Sequence, residues 1–271
     1  PAVLAAMESP DADVRLAAVR ALVALGDHAA VLPLAEVAAT ARGAERDEAR
    51  RSLSLLQPDS VDGAIVAHIA DSGPAACAEL VRSTVPRSIV EAVPALLLAA
   101  KHADPSVRAE SFKALAVLAG PAELPQLLDL LTGLDGDAGR REAERAVTAV
   151  VRQAPSRDAA VDVICGRLAG APAPARVSLL TVLGQISGDT ALRAVREDVT
   201  HADPVVREAA VRTLTTWADS SPLEDVFALA KTADSETLRV LCLRGALRMI
   251  EQDSQLGGKP SFMSTRTFDE A

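Results

Sequence analysis

One segment of this chain is written more than once. HADPSVRAESFKALAVLAG at 102–120 returns as HADPVVREAAVRTLTTWA at 201–218, and a third version, DADVRLAAVRALVALGD, stands at 11–27. Self-similarity at this period is the strongest constraint a sequence can place on a fold: each repeat is one small helical unit, and neighbouring units must stack to bury a common core. With the motif arginine as a register mark, Arg15, Leu22 and Leu25 match Arg46, Leu53 and Leu56 at an offset of 31 residues. The same triplet follows as Arg108, Leu115, Leu118; Arg140, Val147, Val150; Arg176, Leu183, Ile186; Arg207, Leu214, Trp217; and Arg239, Ala246, Met249. A unit around Pro74 to Val85 fits the motif poorly and is placed by spacing more than by motif.

Within a unit the pattern predicts two helices. Asp104 and Asp203 are N-cap candidates, since a carboxylate accepts from the free amides of a first turn. Pro105 and Pro204 follow where no amide is needed. Val107, Ser111, Ala114, Leu115 and Leu118 then form one stripe at helical spacing. Gly120 and Gly188 stand where a left-handed helix end is wanted. The second helices are expected at 28–40, 61–70, 88–100, 122–131, 158–168, 190–199 and 222–231, and a last, unpaired helix at 235–252. The remainder, DSQLGGKPSFMSTRTFDEA at 253–271, carries Gly257-Gly258 and Pro260 and reads as a flexible tail, or as a linker to a further domain.

Composition agrees with close-packed helices. Of 271 residues 49% are hydrophobic, yet only 2% are aromatic and none is Tyr, so Ala and Leu must fill the interior. The net charge of −9 argues against a general nucleic-acid binder, which needs net positive surface. No apolar run reaches the roughly 18 residues of a membrane span, and no secretory leader is visible. The chain opens inside a helical pattern and reads as one module of a larger bacterial protein.

These repeats resemble HEAT repeats, and most of all the short HEAT-like kind first described for phycobilisome lyases, with the pattern D-x-x-V-R-x-x-A-x-x-A-L-x-x-L-G. It stands here as Asp104 to Arg108 with Leu115 and Gly120, as Asp203 to Arg207 with Leu214, and as Asp11 to Arg15 with Leu22 and Gly26. The resemblance implies an all-α, right-handed α-α superhelix of about seven to eight helix pairs over residues 1–252. It also implies that the motif Asp and Arg form a ladder between units. On that reading Arg15, Asp104, Arg108, Asp203 and Arg207 are structural, and a bidentate Arg–carboxylate pair gives such a ladder a physical basis.

Candidate chemistry is sparse. His102 and His201 occupy equivalent turns and are expected to cap preceding helix C-termini as imidazolium. No His is followed by Glu and no two stand at i, i+4, so the His-Glu metal sites of HEAT-like hydroxylases have no counterpart, and no metal or cofactor is expected. No nucleophile elbow or phosphate loop is present, so no catalytic residue is assigned. A HEAT-like glycosylase would need a cationic groove and exposed aromatics, whereas Trp217 aligns with core positions. Cys77, Cys165 and Cys242 read as buried free thiols. What remains is surface. The second helices are expected to line a concave face carrying Gln126, Asp129, Asp162, Arg193, Arg196, Glu224, Asp225 and Lys231, with Glu36 earlier, suited to a protein or peptide partner of complementary charge. The expected function is a non-catalytic interaction scaffold. The alternatives are an accessory or lyase-type role on a bilin or protein substrate, and a structural spacer.

Overall fold

The structure, a computed structural model, describes residues 2–25, 27–57, 60–134, 136, 139–233 and 235–255. The described residues form an all-α helical-repeat fold and contain no strand. The chain divides into two compact units, Pro1–Gln153 and Ala154–Ala271.

The first unit holds α1 (Ala2–Ala6), α2 (Ala12–Leu25), α3 (Val31–Thr40), α4 (Gly43–Leu55), α5 (Ser60–Asp71), α6 (Pro74–Thr84), α7 (Val93–Ala99), α8 (Pro105–Leu118), α9 (Leu124–Thr132) and α10 (Arg140–Gln153). The even-numbered helices are the first helices of the repeats, and they pack against one another in a row. Each second helix lies on the first helix of the following repeat: α3 on α4, α5 on α6, α7 on α8, α9 on α10. Leu34, Leu53, Leu56, Ile65, Leu80, Leu96, Phe112, Leu115, Leu127, Leu128 and Leu131 are fully buried between the two rows. Val107, Ser111, Ala114 and Leu115 of the expected stripe are buried, and the Ser111 hydroxyl is satisfied by donating to the Val107 carbonyl at 2.8 Å.

The unit placed mainly by spacing is a regular helix pair. In α6 Ala76, Cys77, Ala78, Glu79, Leu80, Val81, Ser83 and Thr84 are all buried, because it packs against α3, α5 and α8 as well as α4. That crowding selects small residues over the motif.

The second unit holds α11 (Arg157–Leu168), α12 (Ala173–Ile186), α13 (Asp189–Asp198), α14 (Pro204–Thr215), α15 (Leu223–Thr232) and α16 (Glu236–Gln255). Here α12, α14 and α16 form the first-helix row, with α13 on α14 and α15 on α16. Trp217 is fully buried, as its alignment with leucines requires. The row is tight. A Cβ added to Gly184 would stand 2.5 Å from the Thr213 methyl, and one at Gly245 would stand 2.8 Å from Thr215 Cβ and the Thr215 carbonyl. Only glycine lets these helices approach so closely.

Two expectations about helix ends need correction. Gly120 has φ −105° and is extended: its amide donates to the Glu123 carboxylate at 2.8 Å, so it begins the next helical turn instead of closing α8 left-handed. After α12 the left-handed φ expected at Gly188 is present (φ 100°) and begins one residue earlier, at Ser187 (φ 60°). The last helix runs to Gln255, past the boundary expected at 252. The remainder of the expected tail, from 256 on, lies outside the described residues, as does Gly26.

Candidate functional site

The repeat motif resolves into three separate devices. Asp104 accepts from the Ser106 amide at 2.8 Å and Asp203 from the Val205 amide at 2.8 Å, each capping its helix. The Ser106 hydroxyl, the Ser106 amide and the first-turn backbone hold the Asp104 carboxyl below its ordinary range. Asp11 accepts from the Asp13 amide in the same way.

The histidines do not cap helix C-termini, contrary to expectation. His102 Nδ1 lies 2.9 Å from the Asp104 amide and His201 Nδ1 lies 3.0 Å from the Asp203 amide. A backbone amide can only donate, so Nδ1 is an unprotonated acceptor and the ring proton sits on Nε2. The imidazole therefore fixes the turn as an acceptor, the opposite of an imidazolium donating to carbonyls.

The motif arginines do not form the expected ladder with motif aspartates. Arg108 donates to the carbonyls of His102 and Ala103 at 2.8 and 2.7 Å, and Arg207 to those of His201 and Ala202 at 2.8 Å each. Arg15 repeats this with Ser9 and Pro10 at 2.9 and 3.2 Å. These carbonyls lie in the turn that ends the preceding helix, where acceptors outnumber donors, and a guanidinium satisfies two at once. Of these three arginines only Arg15 also reaches a carboxylate among the described residues: Glu45 on α4, at 2.8 and 3.1 Å.

The ladder that does join first helices is one the motif conceals. Glu48-x-x-Arg51, Glu79-x-x-Arg82 and Glu110-x-x-Lys113 recur at 31 residues, a period visible in the sequence but masked by the more conspicuous Val-Arg; the second and third form rungs of the ladder, whereas in the first Arg50 takes the bridging place of Arg51. Glu79, 7% exposed, receives Arg50 of α4 at 2.8 Å on both oxygens and Arg82 of its own helix at 2.5 Å. Arg82 continues to Glu110 of α8 at 3.1 Å, and Lys113 meets Glu110 at 2.8 Å. Burial pushes the Glu79 carboxyl up, but hydrogen bonds from Arg50 and Arg82 outweigh it and hold the group below its usual range. Glu110 behaves likewise through Lys113 and Arg82. In the second unit Arg176 of α12 clamps Asp198 of α13 at 2.6 and 2.8 Å and donates to the Leu168 carbonyl at 2.6 Å.

The surface candidates divide between the units. In the first, Gln126 and Asp129 are exposed on α9. They border a groove of about 460 Å³ whose other side is Pro94, Leu97, Leu98 and Lys101, from α7 and the residues just after it. Leu98 is 70% exposed there, the most exposed of the chain's large apolar side chains among the described residues. In the second unit Asp162 of α11, Arg193 and Arg196 of α13, and Glu224 and Lys231 of α15 are exposed, with Asp225 half-buried. Arg196 is not an isolated positive charge: it meets Asp225 at 2.7 and 3.0 Å. Sequence reading chose these positions by polarity and so passed over Leu98.

Reactive groups are subdued. Cys77 and Cys242 are buried and Cys165 is half-buried, more open than expected; burial raises all three thiols, so the thiolate is scarce at neutral pH. No group of three or more His, Cys, Asp or Glu among the described residues could hold a metal. No described helix is long and apolar enough to cross a membrane.

A family model described as HEAT repeat matches residues 1–29. No curated protein matches the chain. Among solved structures, the complex of CpcE and CpcF of phycocyanin lyase from Nostoc sp. PCC7120 is 16% identical, with 94% of this chain and 93% of that chain covered and a TM-score of 0.38. The YibA protein of Escherichia coli is 17% identical over 91% of this chain and 92% of that one, at a TM-score of 0.45. Human deoxyhypusine hydroxylase in complex with glycerol is 18% identical over 93% and 95%, at a TM-score of 0.36. Likeness at this level carries nothing about chemistry.

Proposed function

We propose that this chain, a HEAT-like repeat protein, serves as a non-catalytic interaction scaffold and binds a protein or peptide partner on its second-helix surface. HEAT repeats suggest the scaffold role in general. The particular face rests on one observation: Leu98 stands 70% exposed between polar Lys101, Gln126 and Asp129, an apolar anchor with a hydrophilic border. Interfaces concentrate their energy in such a centre, while the polar rim sets orientation. In the second unit Arg193, Arg196, Glu224, Asp225, Lys231 and Asp162 give the corresponding face mixed charge, which suits selection of a partner more than raw affinity. The motif residues Arg15, Asp104, Arg108, Asp203 and Arg207 have no part in recognition on this reading, because caps and carbonyl clamps already occupy them.

The test uses the intact chain as bait, followed by direct binding of the captured protein in purified form. Leu98→Asp is expected to weaken that binding tenfold or more, about 1.4 kcal/mol, with unchanged melting temperature. Arg193→Glu with Arg196→Glu probes the other unit. Affinity untouched by both variants would refute the second-helix face.

A further inference from the structure

The first-helix row of the first unit carries a different groove. It lies across α4, α6 and α8, has a volume of about 510 Å³, and follows the buried carboxylate ladder. Its charged lining is Arg50, Arg51, Arg82 and Lys113 against Glu79 and Glu110, a surplus of two positive charges on a chain whose net charge is −9. The two signs are not presented equally. Glu79 and Glu110 side chains are 8% and 14% exposed and turned into the ladder, whereas the Arg82 and Lys113 side chains are 36% and 54% exposed. Arg51 is exposed and makes no ion pair among the described residues. The groove therefore shows cations to solvent over carboxylates that are already neutralised. Its apolar side is Val85, Pro86 and Val117, with Val117 58% exposed.

We infer that this groove is a docking site for an acidic peptide segment of a partner protein, one with Asp or Glu residues next to an apolar side chain. The carboxylates would meet Arg51 and Lys113, and the apolar side chain would cover Val117 and Pro86. Charge complementarity selects this occupant: a basic segment would face the exposed cations with no accessible carboxylate to receive it. The ladder also gives the site a rigid floor, since Arg50 and Arg82 are held by Glu79 and Glu110 before any ligand arrives. This site stands apart from the second-helix face and does not depend on it.

The experiment is fluorescence anisotropy of the intact chain with four labelled probes: an acidic peptide containing leucine, the same peptide with leucine replaced by serine, a basic peptide containing leucine, and a single-stranded oligonucleotide. The acidic leucine peptide is expected to bind best, with affinity falling as salt is raised. Arg51→Glu should weaken it at least about fivefold, and Val117→Asp by a similar factor, while the helical circular dichroism and melting temperature stay close to those of the parent. Arg51 and Val117 are exposed and stand outside the ladder, so loss of binding with an intact fold reports the groove. Equal binding of the basic peptide, tighter binding of the oligonucleotide, or indifference to the charge reversal would each overturn the proposal. Leu98→Asp should leave this affinity unchanged, which separates it from the second-helix reading.

Discussion

Arg108 and Arg207 direct their guanidinium groups at carbonyls six and five residues behind them, and their neighbours Asp104 and Asp203 face forward to the next amides. Each motif turn is thus closed from both sides by its own residues. The caps were legible, because Asp-Pro before an apolar stripe has one physical meaning. The arginine partners were not: backbone carbonyls are present at every position, so no residue identity announces them, and a family expectation of an Asp–Arg ladder filled the gap. Two outcomes follow at this scale. Asp203→Ala should lower stability by about 1 kcal/mol in chemical denaturation. Nitrogen NMR of the His102 and His201 rings at neutral pH should show the Nε2-protonated tautomer; an Nδ1-protonated ring would exclude the acceptor geometry.

Among whole elements, the first helices are joined by buried carboxylates and by absent side chains. Replacing Glu79 with Gln leaves Arg50 and Arg82 without their shared anion. The expected loss is about 2 kcal/mol, near the middle of the range for hydrogen bonds to charged groups because both arginines remain partly exposed. The pH dependence has a definite sign. Glu79, Glu110 and Glu45 titrate in the folded chain below their ordinary value of 4.5, so the unfolded chain binds more protons in acid. Their stabilisation is complete above about pH 5 and declines as pH falls through 4.5 towards the lower folded values. Denaturation midpoints should follow that course, less steeply in Glu79→Gln. Gly184→Ala should cost about 1–3 kcal/mol, since the new methyl collides with Thr213. Gly166→Ala, where a Cβ meets nothing within 4 Å, should be neutral or stabilising by up to about 1 kcal/mol. Helix positions were readable from periodicity to within a few residues. The Glu79 ladder had a readable period too, but its register was hidden behind Val-Arg, and the unit at Pro74 lacked Val-Arg in register altogether.

The whole molecule is a repeat protein whose most recurrent residues hold it together. Recurrence locates the fold; on the proposed reading, recognition comes from positions where repeats differ, such as Leu98, whose exposed equivalents Glu36 and Asp129 are charged and Ala67 is small. That residue could not be selected from sequence, because an exposed leucine and a buried one look alike until neighbours are placed. The central claim is that binding and folding reside in different residues. Isothermal titration of one purified captured partner against the parent chain, Leu98→Asp and Asp203→Ala tests it most directly. The account predicts weakening of tenfold or more for Leu98→Asp and unchanged affinity for Asp203→Ala at a temperature where it is folded. Unchanged affinity for Leu98→Asp, or loss with Asp203→Ala, would contradict it.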